Sequence, residues 1–245
     1  MKKPIFSVII PAHNEENYIG GCLEAIQKAA SHAPEGSVQI IVVANRCTDR
    51  TAEIALSYGA LVVPNEDKSI SKIRNAGAAR AIGRIIVTID ADSKMTENSF
   101  IEIHKMLTSK LYVGGGTMPK FDRMSLGIAV SSAYVAMNLA PIMIKEKAPL
   151  SGGMFWCLKK DFDAIGGFDE ELVSLEDMDF AVRLKRHGEK TGRRYGTLPN
   201  AKIITSSRKF DEFGDWYLIK NRELTKRIFT GKDKEAADSF YYDVR

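Results

Sequence analysis

Short apolar runs at residues 6–10, 39–43, 61–63 and 84–89 alternate with segments whose apolar residues recur every three or four positions. That alternation leaves few folds open. Runs too short for helices and rich in valine and isoleucine predict strands; residues 50–58, residues 71–82 and the stretch carrying Ile19, Cys22, Leu23 and Ile26 predict helices. Strands joined through helices imply a mostly parallel central sheet with helices on both faces, because parallel neighbours need long crossover connections. The expected fold class is therefore α/β. In such sheets ligands bind beyond the carboxyl ends of the strands, where residues 11–15, 45–49 and 90–92 all fall.

The last of these loops holds Asp90-Ala91-Asp92. Side chains two apart in an extended segment point the same way, so two carboxylates would lie side by side at the strand exit. Like charges so placed repel and resist desolvation unless a cation or several donors accompany them. A divalent metal carrying a phosphorylated substrate fits that need, since Mg²⁺ is commonly held by one or two carboxylates, phosphate oxygens and water. The alternative is plain structure: Asp90 ends the strand and Asp92-Ser93 caps the next turn.

Acids gather again between Asp169 and Asp179, where six of eleven residues are acidic. Ser174 with Asp177 three residues on matches a capping box for a helix running to His187 and stopped by Gly188. Capping uses one or two acids; the remainder exceed what a helix start needs. A carboxylate there has the chemistry to take a proton from an acceptor hydroxyl. Gly114-Gly115-Gly116 lacks the Gly-Lys-Ser/Thr of a phosphate loop and predicts instead a close approach of backbone to substrate or to another strand.

Between these landmarks, residues 96–109 predict a helix capped by Thr96, residues 112–117 and 152–158 strands, and the last forty residues a loop, a basic helix and an aromatic, charged tail. Two domains are expected, residues 1–205 and a C-terminal loop and helical appendage over 206–245. Residues 126–144 contain no charge, yet Ser131, Ser132, Tyr134, Asn138 and Pro141 favour a helix buried in protein or resting on a partner over a membrane span. With 35 basic and 31 acidic side chains, the net charge of +4 gives no reason to expect a nucleic-acid partner. Three scattered cysteines without metal spacing, and an N-terminus without a signal-peptide pattern, lead to the expectation of a cytoplasmic chain, with peripheral contact at the inner face of a membrane as an option.

Taken in order, Ser7-Val-Ile-Ile-Pro-Ala-His-Asn-Glu-Glu16, Val42-Val-Ala-Asn-Arg-Cys-Thr-Asp-Arg-Thr51, Arg74-Asn-Ala-Gly77, Asp90-Ala-Asp92, Gly166-Gly-Phe-Asp-Glu170 and Glu176-Asp-Met-Asp-Phe180 resemble the signatures of family 2 glycosyltransferases with the GT-A nucleotide-diphospho-sugar transferase fold. The resemblance covers about residues 5–190. It implies a nucleotide-sugar donor, a bound Mg²⁺ or Mn²⁺ and usually inversion at the anomeric carbon. Pro11, Ala12, Asn14 and Glu15 would then border base and ribose, Asp90 with Ala91 would meet ribose or metal, and Asp92 would ligate the metal; His13, in the first loop, is a candidate base contact with simple exposure as the alternative. Asp177 would be the base, with Glu176 shaping the acceptor site alongside Gly152 and Gly153. Lys72 or Arg74, near the start of their helix, would bind the diphosphate, with plain solvation of both as the alternative.

Two departures from that pattern stand out. Ala44-Asn45 replaces an aspartate pair, so Asn45 is left to read the base with an amide and uridine preference is in doubt. No histidine follows His187, and Arg208 or Lys209, in an expected closing loop, would offset diphosphate charge instead; a retaining outcome stays open. The acceptor is not readable, with a lipid-linked or saccharide hydroxyl the leading options. Two other functions compete: a sugar-phosphate nucleotidylyltransferase, disfavoured by the lack of a glycine-rich, lysine-bearing N-terminal signature, and a relative that binds nucleotide sugar without turnover.

Overall fold

The computed structural model describes residues 3–33, 38–146, 153–228 and 233. The first half runs β1 (Phe6–Ala12), α1 (Ile19–Ala30), β2 (Val38–Asn45), α2 (Thr51–Ser57), β3 (Leu61–Asn65), α3 (Ile70–Ala79), β4 (Ile85–Ile89), β5 (Ser93–Met95) and α4 (Ser99–Thr108). Then follow β6 (Tyr112–Gly116), β7 (Pro119–Phe121), α5 (Leu126–Glu146), β8 (Met154–Leu158), α6 (Lys159–Ala164), α7 (Glu176–Glu189), β9 (Arg194–Thr197) and β10 (Ile203–Thr205). Three short helices, α8 (Arg208–Phe213), α9 (Tyr217–Lys220) and α10 (Arg222–Ile228), close the described chain.

A seven-stranded sheet has the order β3-β2-β1-β4-β8-β6-β9, and a small one the order β5-β10-β7. The strands β3, β2, β1 and β4 are parallel, while β8 lies antiparallel to both β4 and β6. Burial on both faces explains why β1 reads as a continuous apolar run. Phe6, Val8, Ile10 and Ala12 pack with α1 and α4 on one side, and Ile9 packs with α3 and α7 on the other. Strand order reverses at β1, which neighbours both β2 and β4, so a crevice opens beyond the ends of β1 and β4.

Several local expectations are corrected by tertiary context. The first strand runs past the apolar run at 6–10 to include Pro11, which lies beyond Ile9, the last residue paired to β4, where only the β2 side is still bonded. Gly188 does not stop α7 but is buried within it, because a Cβ there would lie 2.6 Å from Val113 Cγ1. Nor does Ser174 cap that helix; Leu175 precedes it in a left-handed conformation, φ 60°. The helix expected from Thr96 starts at Ser99, with Thr96 Oγ1 donating to Asn98 Oδ1 at 2.8 Å. The single C-terminal helix is instead three pieces, the first broken at Gly214 with φ 87°. The expected close approach at the glycine triplet is to other strands: a Cβ on Gly115 would lie 2.7 Å from the Gly196 carbonyl carbon, and one on Gly114 would lie 2.7 Å from Cys157 Cβ. Gly115→Ala should therefore cost about 3 kcal/mol through overpacking against a neighbouring backbone. Thermal or urea unfolding measures this, and an unshifted midpoint would show that β6 and β9 separate without strain.

No helix among the described residues is long and apolar enough to cross a membrane.

Candidate active site

The loops at the crevice are held mainly by their own side chains. Glu15, buried at the end of the first loop, donates its backbone N–H to Thr51 Oγ1 at 2.7 Å. Asn14 adopts φ 51° and accepts the Thr48 N–H through Oδ1 at 2.9 Å, which ties the first loop to the second. His13 Nδ1 lies 2.7 Å from the Asn45 carbonyl oxygen. Asn45 Nδ2 donates to Asn65 Oδ1 and to the Asp67 carbonyl, each at 2.8 Å, and its Oδ1 accepts from Arg46 Nε. The Asn45 side chain thus braces β2 against β3.

Two arginines organise the acids. Crossover geometry puts the start of α3 at the carboxyl ends of the strands, and Arg74, just past its first turn, is 95% buried. Its Nη2 donates to Asp90 Oδ1 at 3.0 Å, while its Nη1 donates to Glu176 Oε1 at 2.8 Å and Asp177 Oδ1 at 2.7 Å. A cation near a helix N-terminus opposes the helix dipole; the three carboxylates and the Phe168 ring, 5.1 Å away, offset that and the loss of water. On the other side, Arg208 forms a bidentate pair with Glu15 at 2.6 and 2.7 Å, lies 3.2 Å from Asp92 Oδ2 and stacks on Tyr18.

Burial pushes the Asp177 carboxyl up to about 7; Arg74 opposes this, and the nearby charges of Glu176 and Asp90 raise it further. That value suits a group that gives and takes protons near neutrality.

These side chains border one cavity of about 570 Å³. Pro11, Ala12, His13, Glu15, Asn45, Asp90, Ala91 and Asp92 line it from one side, with Arg74, Glu176, Asp177, Arg208 and Lys209 around them. Asn14 and Lys72 are not among its lining residues, and Lys72 is exposed. Gly153 has φ 71°, and a Cβ there would lie 3.9 Å from Asp90 Oδ2; Gly152 lies outside the described residues. Sequence reasoning missed the far wall, which is apolar and includes Phe121, Val135, Leu139, Phe210 and Phe213. It also missed Phe168 beneath Arg74, Tyr18 beneath Arg208, and the left-handed Leu175 that sets the entry to Glu176 and Asp177. Nothing in a leucine signals such a backbone.

The sequence pattern described as glycosyl transferase family 2 matches residues 7–166, more than half of the chain. The chain belongs to glycosyltransferase family 2. It is 25% identical over 207 residues to the probable glycosyltransferase YdaM of Bacillus subtilis, covering 76% of this chain and 47% of that protein. Over 195 residues it is 26% identical to the poly(ribitol-phosphate) beta-N-acetylglucosaminyltransferase TarS of Staphylococcus aureus, covering 73% of this chain and 32% of that one. The family 2 chain described here thus spans about half or less of the length of these relatives. Mannosyltransferase PcManGT from Pyrobaculum calidifontis, in complex with GDP-Man and Mn²⁺, superposes with a TM-score of 0.64 at 17% identity, covering 99% of this chain and 71% of that chain. The architecture is the GT-A fold.

Proposed function

We propose that this family 2 chain transfers a sugar from a nucleoside-diphosphate donor to an acceptor hydroxyl, with inversion and with Mg²⁺ or Mn²⁺ bound. One observation carries the reading: Asp90, at the exit of β4, and Asp177, on the first turn of α7, are bonded to the same guanidinium at the wall of one cavity. In this reading Asp90 serves the donor and Asp177 the acceptor, and one guanidinium keeps the two in the same site, as a single displacement requires.

The donor set fits a hard divalent ion. Asp90 and Asp92 offer oxygen ligands at the cavity wall; Asp90 spends Oδ1 on Arg74, while its Oδ2 accepts no hydrogen bond from a described residue. When bound, the metal would neutralise charge on the departing nucleoside diphosphate. The rest is the work of this chain's side chains. Asp177 takes the proton from the attacking hydroxyl, and Glu176, on the same Arg74 nitrogen, borders the acceptor. Attack opposite the leaving group inverts the anomeric carbon. Pro11, Ala12 and His13 flank the nucleoside, Asn45 holds its loop in place, and Arg208 with Lys209 balances phosphate charge. Arg208, Phe210 and Phe213 on α8 and Tyr217 and Leu218 on α9 line the same cavity.

Incubation with Mn²⁺ and a panel of nucleotide sugars, following heat stability and product release, tests this. Release of nucleoside diphosphate in the presence of a broad acceptor panel is expected; pyrophosphate release on incubation instead with a nucleoside triphosphate and a sugar 1-phosphate would indicate nucleotidyl transfer, and stabilisation without release under either condition a binding protein. Asp92→Asn should weaken Mn²⁺-dependent nucleotide binding by at least ~10-fold, in line with the loss of a charged ligand contact of about 1.5–3 kcal/mol. Titration calorimetry checks it, and unchanged affinity would remove Asp92 from the metal site.

A further inference from the structure

Among the described residues, helix α5 is apolar on two faces and only one of them faces protein. Ser132, Val135, Ala136 and Leu139 turn towards the cavity. On the opposite side Leu126, Val130, Met137 and Ile144 are 75%, 40%, 72% and 76% exposed. These four follow at intervals of four, seven and seven residues, so they fall within about 40° on a helix of 3.6 residues per turn. Ala129, Ala133 and Pro141 widen the same exposed stripe, and no charge interrupts it from residue 126 to residue 144. A helix face turned to water ordinarily carries charge. A contiguous apolar face of this kind marks a contact surface.

We propose that α5 lies on a membrane leaflet containing anionic lipid: the outer stripe inserts among the acyl chains, and the inner stripe receives the apolar chain of a lipid-carried acceptor. The second half rests on the sugar-transfer reading; the first does not. Continuity selects the bilayer as occupant. The helix that carries the exposed stripe also walls the cavity with Val135 and Leu139, which share its lining with Phe210, Phe213, Leu218 and Asp177. A second copy of the chain would cover the stripe but leave that apolar half of the cavity with nothing to hold. A leaflet supplies both a surface and a substrate.

Charge agrees with this choice. Exposed Lys120 precedes the helix, exposed Lys145 stands in its last turn, and Lys220 and Arg222 are exposed on α9 and α10, of which α9 packs on α5. Arg123 is already committed to Asp211 and Asp215, and exposed Asp122, Glu212 and Glu223 oppose the four cations, leaving a small positive excess. Trp216 completes the surface: 42% exposed, it lies against Gly127 at the start of α5, as interfacial tryptophans lie at headgroup level.

Trp216 also provides the test. Trp156 is fully buried, so a change in emission on adding vesicles reports Trp216. The full chain is mixed with phosphatidylcholine vesicles with or without phosphatidylglycerol, and partition is followed by sedimentation and by quenching with brominated lipid. Expected are a blue shift and co-sedimentation that strengthen with phosphatidylglycerol. Met137→Glu and Ile144→Glu should each weaken partition by at least ~10-fold, the scale set by keeping one large apolar side chain out of the lipid. Leu56→Glu, at an exposed apolar position on α2, should leave it unchanged.

Wild type remaining in the supernatant with both vesicle types overturns the proposal, as does equal binding by all variants. A dimer in the ultracentrifuge that Met137→Glu dissociates would assign the stripe to a second copy and overturn it likewise. Vesicle binding needs no nucleotide, so the two readings fail separately. Failed partition with intact nucleoside diphosphate release removes only the membrane surface; intact partition with no release from any nucleotide sugar removes only the transfer.

Discussion

Arg74→Met should lower stability by about 3–5 kcal/mol at pH 8, the range found when one partner of a buried ion pair is removed. For a chain of this size that is a fall in Tm of roughly 10 °C. Its guanidinium is the shared partner of Asp90, Glu176 and Asp177, which lie on two distant parts of the sequence. Without it, Asp177 loses the chief influence that holds its pKa down against burial. The sign of the pH effect follows. A carboxyl protonated in the folded variant but ionised in the unfolded chain means that folding takes up a proton, so stability falls as pH rises through neutrality. Melting curves at pH 5.5 and pH 8 should thus diverge more in the variant than in the wild type. Arg74→Lys should recover little, because a compact ammonium cannot span the same fork. Equal melting of wild type and Arg74→Met at both pH values would show that the three acids do not depend on this cation.

Asp177→Asn should lower transfer by at least ~100-fold while nucleotide and metal affinity stay within about twofold, the pattern of a lost general base. The wild-type rate should rise with pH and level off above about 7, since Asp177 acts only when ionised. The residual activity of the amide variant should lack that limb. The pairing of a pH profile with a binding measurement separates a chemical role from a structural one. Transfer unchanged in Asp177→Asn would move the proton to Glu176 or out of the side chains altogether.

Much of the donor half was legible because its signals are local. The runs that form β1, β2 and β4 are apolar on both faces, and their exits carry the polar residues that line the cavity. Helix ends were read less well. Gly188 looks like a stop, yet packs inside α7 against Val113; Ser174 and Asp177 look like a capping box, yet Leu175 turns the chain through a left-handed residue and leaves Asp177 facing Arg74. Arg74 itself suggested a phosphate ligand from its place near a helix start. Its Nη donors turned out to be engaged by acids about a hundred residues further along and at the end of β4.

The sequence by itself determined the α/β class, the position of the crevice and the identity of the acids around it, since each depends on periodicity and on spacing along one strand or helix. Tertiary structure alone decided which charges meet: one arginine joining the two acidic loops, another joining Glu15 to Asp92, and the apolar wall assembled from α5, α8 and α9. Those pairings are long-range, and desolvation selects them only once the sheet has brought distant loops into one low-dielectric space.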